Sequence, residues 1–236
     1  MKHDFGAPER HLISVDPILA RFLGEFGPCP VRLGRYEGDL FEVLTNAVLS
    51  QQISVAAAKS VQTKFVATYG DDGVYPRPER IAGLTPEYLR SAGFSRQKAG
   101  YVVGLAQAEL PHMSELEAMS DEDVIARLLP LKGIGRWTIE MLLMFRLGRP
   151  DVFPADDLGI RNGMKLVYGL EANPTKAEMH TLAAPWAPYR SFGAWYMWRA
   201  LGFRPENDPE NDPAKARSTS AVPSITNEVP VAEPEP

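Results

Sequence analysis

Along most of the chain, apolar residues recur at the three- and four-residue spacing of helices, in short pieces separated by glycine and proline. The pattern predicts a helix over His11–Phe26. A second begins after Asp39, where Leu40, Val43, Leu44, Ala47 and Val48 make a continuous stripe. Another stripe, Val55, Ala58, Val61, Phe65 and Val66, ends at Tyr69-Gly70. Between these two, SQQIS (Ser50–Ser54) interrupts the packing pattern with small and amide side chains. Ile81–Leu84 and Thr85–Ala92 read as short helices, Ser95–Leu110 as a longer one, and Glu115-Leu116 as the start of a further short element. Ser120 and Asp123 form a capping-box-like pair at the start of DEDVIARLLP, which stops near Pro130. LKGIG then leads into RWTIEMLLMFRLG, which Gly148 and Pro150 end. Pro154 imposes an extended approach before DDLGIRNGMKLVYG resumes helical spacing, and PWAPYRSFGAWYMWRALG crowds six aromatics into one helix and its entry turn. With no alternating series long enough for a sheet core and no solenoid period, the expected fold class is all-α.

Composition narrows the function classes. An apolar fraction of 44% in 236 residues supports a substantial core. No apolar run approaches the roughly 20 residues of a membrane span, so no membrane partner is expected. MKHDFGAPER has no apolar signal segment, and the lone Cys29 can form neither an internal disulfide nor a four-thiolate zinc or iron–sulfur site. These features point to a cytoplasmic protein that requires no cofactor. The four histidines are scattered, and His180 reads as a surface or core residue.

The net charge of -5 disfavours a nucleic-acid partner until its distribution is considered. Residues 205–236 hold seven acidic and two basic residues, many prolines and no apolar periodicity; the expectation there is a disordered acidic tail. Residues 1–204 then carry 23 charges of each sign, and Val124–Arg204 has 11 basic against 6 acidic. That bias suits a phosphate-contacting face if the basic groups gather, though ordinary surface variation accounts for it as well.

Two motifs carry candidate chemistry. In KGIG, Gly133 and Gly135 bracket Ile134, which can anchor the turn in the core, while amides at the start of the Arg136 helix suit a phosphate. A ligand-free helix joint explains the same four residues. In VFPADDLGI, Asp156 and Asp157 adjoin a helix start, where a carboxylate serves as a cap or as the negative group of a reaction.

Leu128–Ile160, LLPLKGIGRWTIEMLLMFRLGRPDVFPADDLGI, closely resembles the helix–hairpin–helix and Gly/Pro-Asp region of base-excision DNA glycosylases, most of all the DNA-3-methyladenine glycosylase II, AlkA-type branch. VLSQQISVAAAKSV and WAPYRSFGAWYMWRALG extend the resemblance over about 38–203. It implies a two-lobed fold: residues 1–37 packing with the C-terminal lobe, a central lobe at 38–119, and the hairpin and C-terminal lobe at 120–204. The implied activity is hydrolytic excision of alkylated bases, of the 3-methyladenine and 7-methylguanine type, from duplex DNA by base flipping in a monomer, leaving an abasic site.

The resemblance places the catalytic acid at Asp157 and leaves Asp156 to cap the helix or orient the loop. Trp137 and Trp198 become candidate walls of a base pocket, with Met141 one helical turn beyond Trp137, where some members carry an aromatic; a flexible core filler is its plain alternative. Bifunctional members have a lysine at or near Trp137, so strand cleavage through a Schiff base is not expected. Gln52 falls on the wedge position that enters the DNA stack, beside Ile53, while Gln51 contacts the pocket or braces the loop. Lys132, Gly133, Ile134, Gly135, Arg136 and Thr138 would face the duplex backbone; Lys132, standing where the family often has proline, adds phosphate attraction to a looser turn. Backbone carbonyls of Leu129, Leu131 and Ile134 would suit a structural Na+ or K+, with no zinc and no iron–sulfur cluster. Two rivals lie outside this reading: a non-catalytic binding protein or sensor for damaged or bent DNA, and an all-α protein-interaction domain.

Overall fold

The structure, a computed structural model, describes residues 3–29 and 38–202, so the expected acidic tail lies outside the described residues. In chain order the helices are α1 Ala7–Val15, α2 Pro17–Phe26, α3 Leu40–Ser50, α4 Val55–Tyr69, α5 Pro78–Ala82, α6 Pro86–Ser91 and α7 Arg96–Gln107. They continue with α8 Met113–Ala118, α9 Asp121–Leu128, α10 Arg136–Phe145, α11 Leu158–Tyr168, α12 Lys176–Ala183 and α13 Arg190–Ala200, a 3-10 turn at Ala184–Trp186 preceding the last. Among the described residues an isolated bridge, Asp71 with Val74, is the only β pairing, and the fold is all-α. None of these helices is long and apolar enough to cross a membrane.

The single helix expected over His11–Phe26 is instead two. Asp16 is extended, at φ -137°, and caps α2 by accepting the Leu19 amide at 2.9 Å, while Pro17 takes the first helical position, where no amide is needed. The apolar stripe runs on across this break because both helices bury leucines, Leu12 from α1 and Leu19 and Leu23 from α2. Helix α12 was not foreseen: it buries only Met179 and Ala183, so its stripe is thin. Its start is nevertheless written in the chain, since Thr175 and Glu178 form a reciprocal capping box.

The helices gather as two lobes. In one, α7 packs on α3, α5 and α6, and α4 packs on α3. In the other, α1 and α2 lie against the C-terminal helices α11 and α13, with α12 reached through the 3-10 turn. Helices α9 and α10 pack on each other, and α10 also touches α3. The second lobe is pinned by a buried polar knot around Asp16, whose other oxygen accepts the Trp186 indole N–H at 2.9 Å and the Tyr168 hydroxyl. Helices α11 and α13 meet most closely at Gly163, where any Cβ would overlap the Met197 carbonyl. That approach brings the start of α11 under the end of α13, and so sets the site.

Candidate active site

Asp157 is the N-cap of α11: its Oδ1 accepts the Ile160 amide at 2.8 Å. The capping reading of this residue is therefore correct, and it leaves most of the carboxylate for other partners. Two indoles take them. Trp198 donates its Nε1–H to Oδ1 at 2.8 Å, and Trp137 donates to Oδ2 at 2.7 Å. A carboxylate offers about four acceptor positions, so three donors orient the group and still leave it able to face a ligand. Asp156 does not share the cap. It is exposed and paired with Lys176 at the start of α12, which steadies the loop from outside.

The two tryptophans differ as candidate walls. Trp137, from the first turn of α10, is 43% exposed and keeps ring surface open to a flat ligand. Trp198 is half-buried and stacks on Phe145 with centroids 6.0 Å apart and planes at 27°, which commits one of its faces. Met141 is also half-buried, packed against the core with part of its side chain accessible. Of the other aromatics, Trp186, Trp195 and Tyr196 are fully buried and structural.

The LKGIG joint links α9 to α10. Gly133 has φ +87°, and a Cβ there would stand 2.5 Å from the Tyr101 ring, so both conformation and space demand glycine. Ile134 is buried and holds the turn in the core, whereas Lys132 and Gly135 are exposed. Gly135 caps α10 without a side-chain bond, and the first helix amide bonded back within the helix is that of Ile139, to Gly135. Amides ahead of it point outward at the positive end of the helix dipole, a setting for an anion such as phosphate. Arg136 is engaged by two carboxylates, Glu140 at 3.1 Å and Glu122 at 3.1 Å. Burial pushes the Glu140 carboxyl above its ordinary value despite the Arg136 bond. Thr138, expected to meet DNA, is 6% exposed, so little of its side chain is open to a ligand. At the cation position that the resemblance implies, the Leu131 carbonyl accepts the Ile134 amide at 3.1 Å and keeps its second lone pair. Among the described residues no His, Cys, Asp and Glu group could hold a metal.

SQQIS forms the turn from α3 to α4. Gln52 takes a left-handed φ of +59° and is exposed, with the exposed Ile53 beside it. The Gln51 side chain donates to the Gly133 carbonyl at 3.0 Å, the bracing role of its two expected alternatives.

The family model for HhH-GPD superfamily base excision DNA repair proteins matches residues 45–188, which contain the Asp157 loop, the hairpin and the whole of the SQQIS turn. The chain belongs to that superfamily. It is 36% identical to the alkylbase DNA glycosidase-like protein of Schizosaccharomyces pombe over 83% of this chain and 93% of that one. It is 37% identical to the DNA-3-methyladenine glycosylase 1 of the same organism, over 81% of this chain and 85% of the relative. A solved structure of the Schizosaccharomyces pombe 3-methyladenine DNA glycosylase in complex with abasic DNA superimposes with a TM-score of 0.75 at 37% identity, covering 84% of this chain and 98% of that one.

Within the HhH-GPD frame, several supporting residues carried no signal in the sequence pattern. Arg190 and Ser191, at the start of α13, fasten the loop that leads to Asp157. Arg190 forms a two-pronged pair with Asp151 at 2.8 and 2.9 Å, and the Ser191 hydroxyl accepts the Val152 amide at 2.9 Å while donating to the Arg149 carbonyl at 2.8 Å. Lys98 and Tyr101 on α7 support the SQQIS turn and the hairpin. The opposite charges of Asp151 and Arg190 are visible in the chain, but nothing local pairs two residues 39 positions apart.

Proposed function

We infer that this chain is a monofunctional DNA glycosylase that hydrolyses the N-glycosidic bond of alkylated bases, of the 3-methyladenine and 7-methylguanine type, in double-stranded DNA. It acts as a monomer on a nucleotide swung out of the duplex and leaves an abasic site. The observation that carries this reading is the Asp157 carboxylate, held by the Ile160 amide and two indole N–H groups at the start of α11.

The chemistry follows from charge. As the base departs, positive character develops on the deoxyribose, and a fixed carboxylate stabilises it without having to reorganise. Asp157 also orients the attacking water. Alkylation makes the purine cationic, which weakens its bond to the sugar and removes the need for a second side chain to protonate it. The open ring surface of Trp137 attracts such a cation through its π face. The α10 amides and Lys132 hold a backbone phosphate, and Gln52 fills the space the nucleotide leaves. Trp137 occupies the place from which a lysine would form a Schiff base, so the product is an intact strand bearing an abasic site.

Purified wild type and Asp157→Asn proteins incubated with methylated duplex DNA test the reading, with released bases identified by mass spectrometry. The wild type should release alkylated purines and leave strands that break only when alkali is added. The variant should keep duplex binding and release almost none. Excision by Asp157→Asn at a near-normal rate removes the catalytic assignment.

A further inference from the structure

Helix α3 ends beside the proposed wedge, and the chain supplies an uncommon stop for it. The last carbonyls of a helix lack partners within it. Here Lys98, from α7, donates its ammonium to the Leu49 carbonyl at 2.7 Å and to the Gln51 carbonyl. A cation at a helix C-terminus also complements the dipole. Burial lowers the Lys98 pKa, so the charge is partly withdrawn from water and depends on these carbonyls for solvation. One turn further along α7, the Tyr101 ring packs on Gly133 of the hairpin. The Gln51 amide bridges from the turn to the Gly133 carbonyl at 3.0 Å. Gln52, between these anchors, keeps a left-handed backbone that residues with side chains seldom take.

We propose that Lys98 and Tyr101 are positioning residues that lock the Gln52 turn to the hairpin, so that wedge and phosphate-holding joint advance into DNA as one piece. The proposal rests on the glycosylase reading and deepens it. Lys98 lies 47 residues beyond Gln51 and shares no motif with it, and its two backbone bonds are what assign it this part. Without the ammonium, the α3 carbonyls lose their partner, the Gln52 turn relaxes, and the energy of binding phosphate is no longer transmitted to the stack. Chemistry at Asp157 is untouched, because neither residue reaches it through any bond described above.

The test uses the full-length Lys98→Met protein, which keeps the stem and removes the charge. Flipping is followed with a fluorescent base beside an alkylated purine in duplex DNA, and single-turnover release is measured from that duplex and from the same base in an unpaired bulge, where no wedge is required. Flipping and release from the paired site should fall about tenfold, the scale of one lost charge-assisted hydrogen bond, with release from the bulge little changed. Gln51→Leu, which removes the bridge to Gly133 and leaves Lys98 in place, should give the same pattern to a smaller degree and serves if Lys98→Met does not fold. Equal losses on paired and bulged substrates, or no loss on either, overturns the proposal. So does a drop of about one in the salt slope of binding to undamaged duplex, since that marks a phosphate contact. A wild type that releases base from neither substrate refutes the glycosylase reading instead.

Discussion

Trp198 has two demands on one ring: its N–H goes to Asp157 at 2.8 Å and a face goes to Phe145. Trp198→Phe separates them, keeping an aromatic on Phe145 while removing the donor. The single-turnover excision rate of that variant should fall about tenfold, the scale of a hydrogen bond to a charged group, with duplex affinity little changed. An unaltered rate would mean that the Ile160 amide and Trp137 suffice to aim the carboxylate. This division of labour was hidden from the sequence, where an aromatic reads as core or as a stacking surface and the direction of an indole N–H depends on the packing of distant helices. The Asp156-Asp157 pair was legible as acids at a helix start, and the family resemblance, not the local pattern, singled out Asp157. The two uses, as a cap and as a candidate reactive group, coexist: Oδ1 takes the Ile160 amide and the Trp198 indole, and Oδ2, with Trp137 alone, keeps an acceptor position open.

Helix α11 carries Asp157 and helix α13 carries Trp198, so their separation governs the site. Gly163 sets it, since a Cβ would collide with the Met197 carbonyl, part of a backbone that cannot rotate away. Gly163→Ala should therefore cost about 1–3 kcal/mol, as overpacking does, or about 2–4 °C of Tm for each kcal/mol in a chain of this size. Base release at a temperature where the variant is fully folded should drop further than stability accounts for, because the indole and the carboxylate part company. A variant with wild-type melting and wild-type excision would show that α11 and α13 slide apart freely. At this scale most elements could be read from apolar spacing, and the exceptions have physical causes. The α1–α2 break is invisible to periodicity because both pieces bury the same side of the chain; Asp16-Pro17 marked it. Helix α12 buries too little to show a stripe, and its capping box was the surer sign. Contacts such as Lys98 to Leu49 join residues 49 positions apart, and no local pattern records them.

For the molecule as a whole, net charge says less than placement, since the acidic excess lies in residues 205–236 and the chemistry lies elsewhere. What unites the C-terminal lobe is the connection from α10 to α11. Arg149 reaches back to the carbonyls of Leu116, Glu117 and Met119, and Asp151 reaches forward to Arg190. Burial alone would raise the Asp151 carboxyl, but its bonds from the Arg190 guanidinium and amide outweigh that and hold it below the ordinary range. A carboxyl depressed by folding contributes stability that is complete above its unfolded pKa of about 3.9 and is lost as pH falls through the folded value. Asp151→Asn should consequently melt below the wild type at neutral pH, and the gap should narrow as acid protonates Asp151 in the wild type, closing below its folded pKa. Thermal melts of both proteins across that range at constant ionic strength measure the gap directly. If it stays constant with pH, the loop is held by Ser191 and by packing, and the Asp151–Arg190 charges contribute nothing to it.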